Sequence, residues 1–135
     1  MAVVGNKSTY LQELVITTYL KTGAVYLGLV SDTATDEEME AGTLTNEITG
    51  YTGNRKAITW GAIAEVLTKA TVKNSALIEF LSMPAPAGRE IKYVIVCDAA
   101  TAGHILYWCP LSAAKVWNVG DPFTHPIDTL VVDEA

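Results

Sequence analysis

The chain reads as an all-β protein, an antiparallel β-sandwich of about seven or eight strands with one short N-terminal helix. Two observations carry that reading. Short runs rich in branched and aromatic residues recur at fairly even spacing, with Gly, Pro, Asn and Asp between them. Two of these runs, Ile91–Cys97 and His104–Leu111, flank the small-residue turn Ala99–Gly103. That is the pattern of a central hairpin, with Gly103 free to take a positive φ. At 135 residues the chain has room for one domain with a real core and too little for two.

Taken in order, residues 1–7 form an arm, 8–20 a helix and 24–132 the sandwich. Thr9 to Gln12 reads as a capping box, with Asn6 and Ser8 as alternative caps. Leu11, Leu14, Val15 and Tyr19 recur at helical spacing, and Gly23 is placed to end the helix. Ala24–Ser31 is a strand with apolar residues on both faces. Asp32–Gly42 holds five acids and reads as a solvated loop or short helical turn, with a helix start at Thr35. Leu44–Ile48 is a short strand, 49–54 a loop and Arg55–Gly61 an alternating segment. Ile63–Thr68 fits a strand or a helical turn equally well. Asn74-Ser75 marks a turn before the strand Ala76–Leu81. Pro84–Gly88 is a loop, because two prolines cannot sit in a ladder. After the central hairpin come a short strand around Val116-Trp117, a turn at Gly120-Asp121-Pro122, an interruption at Pro126 and a last strand Ile127–Val132.

Composition removes several function classes. Half of the residues are hydrophobic and 18% charged, which is a folding chain and not a disordered one. The net charge is −6, and among the scattered bases only Arg55 and Lys56 are adjacent. Binding to a nucleic-acid backbone needs clustered Lys and Arg, so nucleic acid is not expected as a partner. An anionic membrane surface is disfavoured for the same reason. No apolar run approaches a membrane span, and the N-terminus lacks the pattern of a signal peptide, so synthesis in a cytoplasm is expected. Cys97 and Cys109 sit in apolar strand patterns and read as buried, reduced thiols too far apart along the hairpin for a disulfide.

Candidate chemistry is thin, and the chain is not expected to be an enzyme. His104 and His125 are the only imidazoles, Ser112 and Cys109 lie near His104 in sequence, and no nucleophile elbow is present. Cys97, His104 and Cys109 lack the closely spaced ligand pair of a structural zinc site. The acids of 32–40 lack the alternating ligands and central glycine of a calcium loop. Gly50 to Lys56 lacks the order of a phosphate loop and runs on into strand. Glu47 and Glu79 are too common a pairing to mark a glycosidase. Trp60, Trp108 and Trp117 are core or interface residues more readily than a sugar platform. No metal and no cofactor are expected.

Several segments taken together resemble one family. They are Val25-Tyr-Leu-Gly-Leu-Val-Ser-Asp, Asn46-Glu-Ile-Thr-Gly50, Arg55-Lys-Ala-Ile-Thr-Trp-Gly61, Asn74-Ser-Ala-Leu-Ile-Glu-Phe80 and Val94-Ile-Val-Cys-Asp-Ala-Ala-Thr-Ala-Gly-His-Ile-Leu-Tyr107. The series is similar to small tailed-phage virion proteins labelled tail fibre or minor tail protein, related to capsid decoration proteins. The family sets a tyrosine two residues before the arginine; here Gly53 stands there and Tyr51 lies two positions earlier. The resemblance implies a β-sandwich carried in the virion, a homo-oligomer such as a trimer, bound to the major capsid protein or to tail proteins. The compact chain favours a capsid decoration or cement role, with a minor tail or fibre component, or a receptor- or glycan-binding tip, as the alternative. Candidate interface residues are Val3 and Val4 on the arm, Tyr51, Arg55, Trp60, Trp108 and Trp117, and Val131 and Val132 at the other terminus, where a strand could add to a neighbouring sheet.

Overall fold

The computed structural model describes residues 5–49, 55–81, 83–84 and 90–134. It is mostly strand, in antiparallel sheets, and is the sandwich-like all-β fold expected. Nine strands are present among the described residues: β1 Tyr26–Ser31, β2 Lys56–Ala57, β3 Ala64–Val66, β4 Lys69–Lys73, β5 Ile78–Phe80, β6 Glu90–Cys97, β7 Ile105–Val116, β8 Phe123–His125 and β9 Val131–Glu134. They form sheets of order β2-β1-β6-β7, β3-β4-β9 and β5-β8. The described residues fall into two compact units. Unit one takes the chain up to Ala24, Thr59–Leu77 and the stretch from His125 on; unit two takes Val25–Ile58 and Ile78–Thr124.

In unit one the helix α1 (Thr9–Ile16) starts at Ser8, whose hydroxyl accepts the Leu11 N–H at 3.3 Å. Ser8 is thus the cap, in place of Thr9. The helix widens into a π-turn over Thr17–Lys21, closed by Thr22 N–H donating to the Thr17 carbonyl. Its inner face is Gln12, Ile16 and Leu20, set against β4 and β9 with Ala70, Val72, Leu130 and Val132 also buried. The periodic residues read from the sequence point the other way: Leu11, Leu14 and Tyr19 are exposed and Val15 is half-buried.

Strands β3 and β4 make the hairpin that Ile63–Thr68 left ambiguous. Its turn is Leu67-Thr68, with φ of 49° and 66°. Two-residue hairpin turns of this hand favour Asn and Gly, so Leu-Thr gives no turn signal and β4 escapes a sequence reading.

In unit two β1 is buried on both faces and pairs with β6 from Tyr26↔Cys97 to Ser31↔Ile91. The short helix α2 (Asp36–Glu40) begins at the expected Thr35, whose hydroxyl accepts the Glu38 N–H. Its Met39 joins Val30, Ala34, Tyr93, Ile95 and Cys97 in one core cluster. Leu44–Ile48 makes only an isolated bridge, Val30↔Glu47, and not a strand. The separate strand expected around Val116 is the far half of β7, and Trp117 lies just beyond it.

The outer edge of β7 pairs with no strand among the described residues. Pro110 sits opposite Tyr93. Having no N–H, it can occupy only a non-hydrogen-bonded pair, so its backbone faces the open edge and removes a donor there. Immediately beyond, Leu111–Ala114 lie opposite Lys92 alone before Lys115↔Ile91 resumes the ladder. The two cysteines fall on different rungs, Cys97↔Ile105 and Cys109↔Val94, so they are not cross-strand neighbours. Cys97 is buried as expected, and burial pushes its thiol up to about 11. Cys109 corrects the expectation, because β7 is an edge strand and leaves it exposed.

Candidate functional site

Three of the segments that carry the family likeness meet, within unit two, on one side chain. Arg55 is only 4% exposed. Its Nε and Nη2 donate to the two Glu47 carboxylate oxygens at 2.6 and 2.8 Å. Its Nη1 donates to the carbonyls of Ala99 and Ala102, both at 2.7 Å. One planar fork thereby joins the Asn46-Glu47 segment, the strand β2 that follows it and the loop of the central hairpin, which a lysine's single ammonium could not do.

Each neighbour is shaped for this. At Gly28, facing the pair, an added Cβ would stand 2.8 Å from Glu47 Oε2 and 3.1 Å from Ile95 Cγ1. The strand carries glycine where the carboxylate needs room. At the hairpin tip Ala102 and Gly103 both have positive φ, 53° and 68°. A Cβ on Gly103 would come within 2.4 Å of Asp98 Oδ1. Asp98 accepts the His104 N–H at 2.7 Å and approaches His104 Nδ1 at 2.9 Å. The His104 N–H, and then its ring, hold the Asp98 carboxyl below the usual range. Asn46 completes the region. It accepts from Thr33 at 2.7 Å and donates to Glu38 at 3.0 Å, tying the acidic turn to the sheet.

The other candidates lie apart from this node. Val3, Val4 and Tyr51 lie outside the described residues. Trp108 packs edge-on against Tyr93 with centroids 5.8 Å apart, and its indole N–H donates to Glu40 at 2.8 Å. Tyr93 donates to Asp36, so both aromatics anchor α2. Trp117 is buried and donates to the Pro84 carbonyl at 2.9 Å. Trp60, in unit one, bridges Asn74, and its buried indole N–H has no hydrogen-bond partner among the described residues. Val131 is exposed and Val132 buried on β9, whose residues are already paired to β4. His104 is exposed, and burial lowers the pKa of His125. No group of three or more His, Cys, Asp or Glu residues suited to a metal occurs among the described residues.

Sequence reasoning missed two polar hubs in unit one. Asn74 is fully buried; its amide donates to the Ala76 and Pro126 carbonyls and its oxygen accepts the Leu130 N–H. Gln12 accepts the Ala70 N–H at 2.8 Å and donates to the Lys7 carbonyl at 3.2 Å. Asn74 carries a turn signal and Gln12 a capping signal; neither pattern tells that the residue is buried.

The geometry defines an all-β module whose signature residues are engaged in holding its own loops. The family model described as Podophage GP4 fiber I protein gp80 matches residues 6–133, and the chain belongs to that family. It is accordingly a protein of the tailed-phage tail-fibre and virion class. No curated protein matches the chain. No helix among the described residues is long and apolar enough to cross a membrane.

Proposed function

We propose that this chain is a non-enzymatic building block of a phage tail fibre, docked on other virion proteins and associated with further copies of itself. The observation that carries this is the fibre-protein match across residues 6–133. The node around Arg55 agrees with it: its polar side chains are spent on internal bonds, as suits a module whose task is to keep its shape. The family match favours the tail over the capsid decoration role expected from the sequence.

Immunogold labelling of intact virions, with quantitative mass spectrometry, tests the reading. Label at the tail, at a copy number far below that of the major capsid protein, is the expected result. Label spread over the head at capsid-like copy number would overturn the tail assignment in favour of decoration. The non-enzymatic part is tested with a His104→Ala/His125→Ala variant, which is expected to yield phage of unchanged infectivity.

A further inference from the structure

We infer that the tip of the β3–β4 hairpin plugs into a hollow beside the same hairpin on a second copy, joining copies head to tail. The inference names a contact for the self-association proposed above and rests on that reading.

The tip is strained and stands out in solvent. Leu67 and Thr68 have φ of 49° and 66°. That region crowds an L side chain against its own backbone, a β-branched one most of all. Leu67 is 89% exposed, the highest value of any large apolar side chain among the described residues. Folding of the turn asks for Asn and Gly there, and solubility asks for a polar residue. Strain held at so exposed a point is a mark of a functional segment.

The hollow lies in the same unit. Trp60 bridges Asn74 while Ala64 pairs with Thr71, so residues 61–63 stand opposite 72–73 alone. The extra residue bows this stretch off β4. The small residues Gly61, Ala62 and Ala64 leave a concavity of about 240 Å³ there, lined also by Val66, Lys73 and Asp128. Its edge is fixed: Gly61 N–H donates to the Lys73 carbonyl, and the Lys21 ammonium donates to the Gly61 carbonyl, both at 2.8 Å. A cavity of about 150 Å³ already admits benzene, so a leucine side chain enters this one with room for part of the turn behind it.

Two observations select a second copy as the occupant. The first is fit, because one unit carries both a projecting apolar side chain and a small-floored recess that takes it. The second is charge. Glu65 and Lys69 flank the tip, and Lys73 and Asp128 line the hollow. None of these four forms an ion pair among the described residues. A tip that enters the hollow sets Glu65 against Lys73 and Lys69 against Asp128, so both signs are matched. A small ligand in the hollow would leave the strained tip without a role. Knob and hollow are different surfaces, so the contact is heterologous; it extends into a row, or closes into a ring where its rotation allows. One side chain and two exposed charge pairs bury far less than the roughly 800 Å² per partner of a stable complex, so copies separate on dilution.

The test uses the full chain in reducing buffer, since Cys109 is exposed. Light scattering from about micromolar to about millimolar concentration is expected to show a rising mass. Two variants divide the contact. Leu67→Glu removes the knob and leaves the hollow. Ala64→Phe, at an exposed strand position, fills the hollow and leaves the knob. Each alone is expected to keep the wild-type circular dichroism and to associate at least about tenfold more weakly. Mixed one to one, they are expected to form a dimer and nothing larger, because one live knob meets one live hollow. Leu67→Asn with Thr68→Gly relaxes the turn and is expected to associate as poorly as Leu67→Glu, which separates loss of the knob from loss of the fold. Glu65→Lys is expected to weaken association about threefold, and Lys73→Glu added to it to restore the loss. A wild type that stays monomeric at the highest concentration, a single variant that associates like the wild type, or a mixture that stays monomeric would each overturn the contact. Presence in the virion is read separately. A monomer that is still carried on the tail sinks this inference alone, and copies that associate in solution but are missing from virions sink the assembly role alone.

Discussion

The two units solve one problem with different chemistry. Both bury polar groups to fasten segments that no ladder joins to each other. Unit two uses a charge, Arg55, neutralised by Glu47 and shared with two carbonyls. Unit one uses neutral amides, Asn74 and Gln12, whose donors and acceptors meet backbone partners. The difference matters when a partner is lost. A stranded charge costs more to bury than a stranded amide, so the same kind of truncation should hurt unit two more.

The largest expected effect breaks the charged hub. Arg55→Ala leaves the Glu47 carboxylate largely buried without its partner and should lower unfolding stability by about 3–5 kcal/mol in a denaturant titration followed by tryptophan fluorescence. Arg55→Met with Glu47→Leu should recover most of that loss, because a packed apolar pair is often no worse than a buried ion pair. No recovery would show that the bonds to Ala99 and Ala102 carry the stability. Next is the amide hub. Asn74→Ala takes the bond from the Leu130 N–H and the Ala76 carbonyl, while Thr129 still donates to the Pro126 carbonyl, and it should cost about 2 kcal/mol by the same titration, with early exchange of the Leu130 amide. If it costs as much as Arg55→Ala, the contrast between the units fails.

Smaller substitutions sharpen the picture. Gly28→Ala pushes a methyl against the ion pair and should cost about 1–3 kcal/mol, read as a lowered denaturation midpoint. In unit one, Leu67→Asn with Thr68→Gly supplies the residues its turn prefers and should raise stability by about 1 kcal/mol in calorimetry. The smallest effect is a pH dependence. Folding lowers the Asp98 pKa, chiefly through the His104 N–H. Its contribution is therefore complete above the ordinary carboxyl value of 3.8 and is lost as the pH falls through the lowered value. Faster exchange of the His104 amide in that acid window is expected, and Asp98→Asn should abolish the pH dependence.

Much of unit two was legible in the sequence because its signals are local. The run Ile91–Cys97 is branched and aromatic, Gly103 is obligatory at its turn, and Thr35 caps its own helix. Unit one was legible only in part. Its hairpin turns on Leu67-Thr68, which have no turn chemistry. Its helix carries a stronger apolar rhythm on the outside than on the inside, so the period was right and the face was wrong. The charged hub was half legible. Arg55 and Glu47 were each noticed, but their meeting depends on Gly28 leaving space, which no spacing reveals.

The edge of β7, which pairs with no strand among the described residues, bears on how the protein avoids the wrong polymer. Fibre components must accumulate at high local concentration, where an open strand would recruit its like into endless cross-β ribbons. Pro110 and the four-residue excursion after it spoil that template, so growth through strand fusion is refused.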